Sequence, residues 1–103
     1  MEEKELKIIN HYGVMPQLKY FQSEVFELNE AIIIYEDERP HLDDEADEGY
    51  IKMLKEHIAE EIGDVQFMLN QFKRYYGIKD EEVNEVMIKK ADRQLGRIKN
   101  ENN

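Results

Sequence analysis

Apolar residues recur at every third or fourth position along most of this chain, and nowhere in the strict alternation of a half-buried strand. That period predicts an all-α fold. A short first helix, "EEKELKIINHY", stops near Gly13, and Pro16 suits the first turn of a second helix, where its missing N–H costs nothing. The second helix is expected to run to about Tyr35. The segment "EDERPHLDDEADEG", about 36–49, carries Pro40, Gly49 and many acids and predicts a long, mobile connection. A third helix spans roughly Tyr50 to Tyr76 and ends at Gly77, a good capping residue. Asp80 is the expected N-cap of a fourth helix, which fades at "KNENN". The expected architecture is one domain over 1–103, a helical bundle of three long helices plus a short N-terminal one.

Placed at 100° per residue, Leu18, Phe21, Val25, Leu28 and Ile32 form the apolar stripe of the second helix. Gln17, Glu24, Glu27 and Ala31 follow one border of it, while Glu30 faces away. On the third helix the stripe is Leu54, Ile58, Val65, Met68, Leu69 and Phe72. The step between Ile58 and Val65 that ought to be apolar is Glu61, and Asp64 lies one turn further on its border. Glu56 and Glu60 face outward. In a chain with 24 acids, one E-x-x-E pair is most simply a solvated face. A second pair, with one member inside the stripe, changes that balance. Four converging carboxylates raise one another's pKa unless a cation sits between them. An oxygen-only ligand set of Glu24, Glu27, Glu61 and Asp64 suits Mg2+ or Mn2+ rather than zinc.

Composition narrows the partners. A net charge of -10 disfavours nucleic acid, and the absence of cysteine rules out disulfides and thiolate metal sites. No apolar run approaches the ~20 residues of a membrane span, and "MEEKELKIIN" lacks the order of a signal peptide. A cytoplasmic protein with no membrane partner is the expectation. On the fourth helix Val83, Met87, Ala91, Leu95 and Ile98 form a stripe bordered by Lys90, Arg93 and Arg97. Alone, such a row is a surface feature; beside a carboxylate-held metal, it is what a polyphosphate needs. Gln17 is a candidate for contact with the base or sugar of such a ligand. His57, Tyr75 and Tyr76 read as surface and packing residues. "AIIIY" is apolar nearly all round its helix, so a second subunit is expected to cover part of it.

These residues resemble the MazG-like all-α nucleoside triphosphate pyrophosphohydrolases over most of the chain. "YGVMPQLKYFQSEVFEL" is similar to the family's opening, where a Gly and a Gln precede the first acidic motif. "EEIGDVQFML" looks like its second motif, and "KKADRQLGRI" resembles its basic C-terminal helix. Two features depart from the pattern. Ser23 stands where many members have the first Glu of a doublet, and the connection between Glu27 and Glu61 is long. The resemblance implies Mg2+-dependent cleavage of a nucleoside triphosphate to the monophosphate and pyrophosphate. It implies Glu24, Glu27, Glu61 and Asp64 as metal ligands and a homodimer or homotetramer completing the bundle. Glu61, the most enclosed acid, is the candidate general base, with Lys90, Arg93 and Arg97 on the phosphates. Related alternatives are a phosphoribosyl-ATP pyrophosphatase and a dUTPase- or dCTPase-like enzyme. The alternative of another class is a non-catalytic helical protein that binds a metal or a partner.

Overall fold

The computed structural model describes residues 1–102, and it is helical almost throughout. The helices are α1 (Glu2–Tyr12), α2 (Val14–Glu38), α3 (Glu48–Tyr76) and α4 (Asp80–Glu101), with a 3-10 turn at Arg39–His41. No strand occurs among the described residues, and no helix there is long and apolar enough to cross a membrane. Gly13, at φ 91°, separates α1 from α2, a backbone angle that side-chain-bearing residues rarely adopt. Gly77 ends α3 in the left-handed region, with its N–H on Arg74 O and the Ile78 N–H on Lys73 O.

The connection after α2 is shorter and better organised than its acidity predicts. The helix continues to Glu38, and the 3-10 turn follows at once. Asp43 Oδ1 accepts the N–H groups of Glu45 and Ala46 at 2.9 and 2.8 Å, and Asp47 Oδ2 accepts the Asp43 N–H at 2.8 Å. Arg39 pairs with Asp44, and Tyr50 donates its hydroxyl to Glu38. Short acidic side chains that bond their own backbone make a turn of what composition alone presents as a mobile loop.

Helix α2 packs along α3, and α1 lies mainly against α3. The most buried residues of α2 are Gln17, Glu24 and Ala31, spaced by seven. On α3 the corresponding positions are Leu54, Glu61 and Met68, with Gln71 one turn beyond. Opposed heptad lines of this kind mark an antiparallel, coiled-coil-like seam. The sequence stripe is therefore displaced: Leu18 and Ile32 are 37% and 41% exposed, and the presumed border is the contact itself. Small Ala31 and the edge-to-face Phe21–Phe72 pair, 5.7 Å between centroids, add apolar layers to a seam otherwise interrupted by amides and acids.

At the other end of α3, Arg74 joins three segments. Its guanidinium lies 3.4 Å from Glu5 of α1, 3.0 Å from Asp80 of α4, and 3.5 Å from Glu2. Lys73 reaches Asp80 at 3.1 Å. Asp80 is thus the first residue of α4 rather than its cap, which is Lys79, and its carboxylate serves this cluster. The hydrogen bond from Lys73, followed by Arg74, holds the Asp80 carboxyl below its usual range.

Beyond this anchor α4 has no buried residue, and it does not fold back along α3. Its stripe is open, with Met87, Leu95 and Ile98 at least half exposed. The radius of gyration is 17.9 Å, against about 13 Å for a compact domain of this length. Accessible surface is 8285 Å2, against roughly 6,100 Å2 for a compact monomer of the same mass.

Glu5 is 1% exposed and Arg74 is the cation beside it. Arg74→Met should therefore cost about 3 kcal/mol by leaving a buried carboxylate unpaired. Adding Glu5→Leu should recover most of the loss, as urea titration of both variants would show.

Candidate metal centre

Midway along the seam, α2 contributes Glu24 while α3 contributes Glu61 and Asp64. One carboxylate oxygen from each lies within 4.8 Å of the others. The arrangement follows from the helical repeat: Glu61 and Asp64 share a face of α3 one turn apart, and antiparallel packing sets Glu24 across from both. Of the four acids singled out in the sequence, three converge. Glu27 is exposed and outside the triad, although its charge is near enough to act on Glu24 and Glu61.

Two of the three acids are shielded, while Asp64 is exposed. Glu24 is only 8% exposed and the Glu61 side chain 12%. Glu24 Oε2 and Glu61 Oε2 are both buried without a hydrogen-bond partner. Burial, reinforced by the charges of Glu27 and Asp64, pushes the Glu24 carboxyl up from 4.5 to about 6. The same causes raise Glu61, with His57 pulling in the opposite direction. His57 Nε2 lies 3.4 Å from Glu61 Oε1, one helical turn away, so this exposed histidine also orients a buried acid. Orphaned carboxylate oxygens inside a protein are costly, a cost that either a proton or a cation removes, and Glu5 Oε2 beside Arg74 is a third such oxygen.

Next to the acids the seam carries a pair of amides. Gln17 Nε2 donates to Gln71 Oε1 at 2.8 Å, and Gln71 is fully buried. Gln71 has a sequence signal, since it falls seven residues after Asp64. Glu5 and Arg74, 69 positions apart, have none. Lys90, Arg93 and Arg97 are exposed on α4, and among the described residues that helix does not pack along α2 or α3 near the triad. Their row faces solvent, as does the apolar stripe beside it, which has no buried residue.

Comparison with protein-family models, curated proteins and solved structures gives no match. The likeness stated above therefore stands on the motif residues alone.

The raised Glu24 pKa fixes the sign of a pH effect in chelator. Below about 4.5 the group is protonated both folded and unfolded and carries no penalty. As pH rises toward about 6 the unfolded chain releases its proton first, so the native state loses stability. Glu24→Gln should then melt higher than the wild type at pH 7 and alongside it near pH 4. Paired thermal scans in EDTA test this, and an equal offset at both pH values would contradict it.

Proposed function

We propose that the chain is a divalent-metal-dependent nucleotide pyrophosphohydrolase, cleaving a nucleoside triphosphate to its monophosphate and pyrophosphate. The observation that carries the reading is the meeting of Glu24, Glu61 and Asp64 across the seam, with two buried oxygens lacking a partner. The donors are all hard oxygens, which suits Mg2+ or Mn2+. Bound there, such an ion would neutralise phosphate charge and lower the pKa of a water molecule.

The chain's own residues divide the remaining work. Glu24 and Asp64 would hold the cation from opposite helices, and Glu27 adds negative potential nearby. Glu61 would take the proton of an attacking water, while His57 steadies its Oε1. Lys90, Arg93 and Arg97 would meet the phosphates only if α4 of another copy lies across the triad. The open stripe of α4 and exposed Ile33 and Ile34 on α2 support such pairing into a homodimer or homotetramer.

A second reading, a helical protein that holds a metal or partner without turnover, has one observation in its favour. Within one chain, the basic row stands apart from the acids. A phosphoribosyl-ATP pyrophosphatase, or a hydrolase of deoxyuridine or deoxycytidine nucleotides, would use the same acids with a different base.

A nucleotide panel with Mg2+ and with EDTA, read for pyrophosphate against orthophosphate, separates these readings. Metal-dependent pyrophosphate release is the expected result. Glu61→Gln should lower kcat by roughly 100-fold while leaving the helical spectrum unchanged. Retained Mg2+ binding with no turnover of any nucleotide would establish the second reading instead.

A further inference from the structure

Charge along α4 is divided by length as well as by face. Its first turns carry Asp80, Glu81, Glu82 and Glu85 and no base. The stretch from Lys89 to Lys99 reverses this, with Lys89, Lys90, Arg93, Arg97 and Lys99 against the single acid Asp92. Asp80 is engaged by Lys73 and Arg74, whereas Glu81, Glu82 and Glu85 make no ion pair among the described residues. Met87, Leu95 and Ile98 line the same helix at least half exposed, and Ala91 stands at its middle.

A helix acidic at one end and basic at the other complements its own copy when the two run antiparallel. With a two-fold axis at Ala91, Met87 falls opposite the partner's Leu95, and Val83 falls near the partner's Ile98. Helical positions then bring Glu81 beside the partner's Lys99 on one flank and Glu82 beside the partner's Arg97 on the other. Each contact occurs twice, as a two-fold interface requires. Small side chains at the axis let the two helices approach closely. A parallel pairing would instead set acids against acids and bases against bases.

The exposed area agrees. The chain presents roughly 2,000 Å2 more surface than a compact monomer of its mass, and a stable dimer takes about 800 Å2 from each partner. An anionic lipid surface would attract only the second half of α4 and repel Glu81, Glu82 and Glu85.

We propose that α4 is a pairing helix, which joins α4 of a second copy antiparallel about a two-fold axis at Ala91. Lys90 and Arg93 of both copies then share one flank near the axis, with no acid opposite them. The pairing goes beyond the hydrolase reading and does not rest on it, because it follows from the layout of α4 alone.

Cross-linking tests the register. The chain has no cysteine, so an introduced one reports a single position. Ala91→Cys should oxidise to a covalent dimer, since that residue meets its own copy at the axis. Met87→Cys alone should not, because its two copies stand about 12 Å apart along the helices. A mixture of Met87→Cys with Leu95→Cys should link. Charge reversal tests the flanks. Glu81→Lys with Glu82→Lys makes one chain, and Arg97→Glu with Lys99→Glu makes another. Each alone should dimerise about tenfold more weakly than the wild type at low salt, read by sedimentation equilibrium. An equimolar mixture should associate at least as tightly as the wild type, which loss of helix in either chain would not allow.

A wild-type chain that stays monomeric at every concentration would overturn the pairing, and binding of that monomer to anionic phospholipid vesicles would assign the face to a lipid surface. Self-linking of Met87→Cys as readily as Ala91→Cys would overturn the antiparallel register. An assembly indifferent to both charge reversals would place the contact on another face, such as that of Ile33 and Ile34. Turnover enters none of these measurements. Failure of the pairing therefore leaves the hydrolase reading standing, and absence of pyrophosphate release leaves the pairing standing.

Discussion

The arrangement depends on one seam, the antiparallel contact of α2 with α3, whose central layer is made of carboxylates. Such a contact is normally stabilised by apolar side chains at every layer, each worth about 1.5–3 kcal/mol when buried. Here Glu24 and Glu61 occupy positions that apolar residues would fill, and Gln17 meets Gln71 in another layer. The layers around Ala31, Leu54, Met68 and the Phe21–Phe72 pair must hold the helices together against that repulsion. A local conflict of this kind inside an otherwise consistent helix pair marks a candidate site. It also explains why the acids are preorganised, because the helices fix their backbones before any ligand arrives.

The same shortage of apolar layers bears on the rest of the molecule. Of the nine residues identified as buried, four are polar or charged: Glu5, Gln17, Glu24 and Gln71. Burial in one chain is thin, and the surplus accessible surface, with α4 held chiefly by the Arg74–Asp80 and Lys73–Asp80 ion pairs, is the complementary fact. Ion pairs fix where α4 begins and give little energy to hold its far end. Its apolar stripe and basic row are thus presented outward together.

Helix count, the helical class and the breaks at Gly13 and Gly77 were legible in the sequence because they depend on local chemistry. Apolar period, Gly13, Pro16 and Gly77 act over a few residues, and α1 and α3 end where the two glycines stand. The acidic connection was misread for an equally local reason: charge density masked Asp43 and Asp47 as turn formers. Three of the four motif acids were legible as one cluster because a seven-residue repeat fixes their face. Helical wheels could not say which line of α2 is the closest contact, since that line is set by how deeply α3 approaches at Ala31.

The sequence by itself determined which elements form and which faces carry acids. Tertiary structure alone decided that Glu27 stands outside the triad, that Gln71 locks Gln17, and that Glu5 is buried against Arg74 across 69 positions. Hydrogen bonds and charge pairs between distant residues depend on the packing of whole helices. No periodicity in a single segment encodes them.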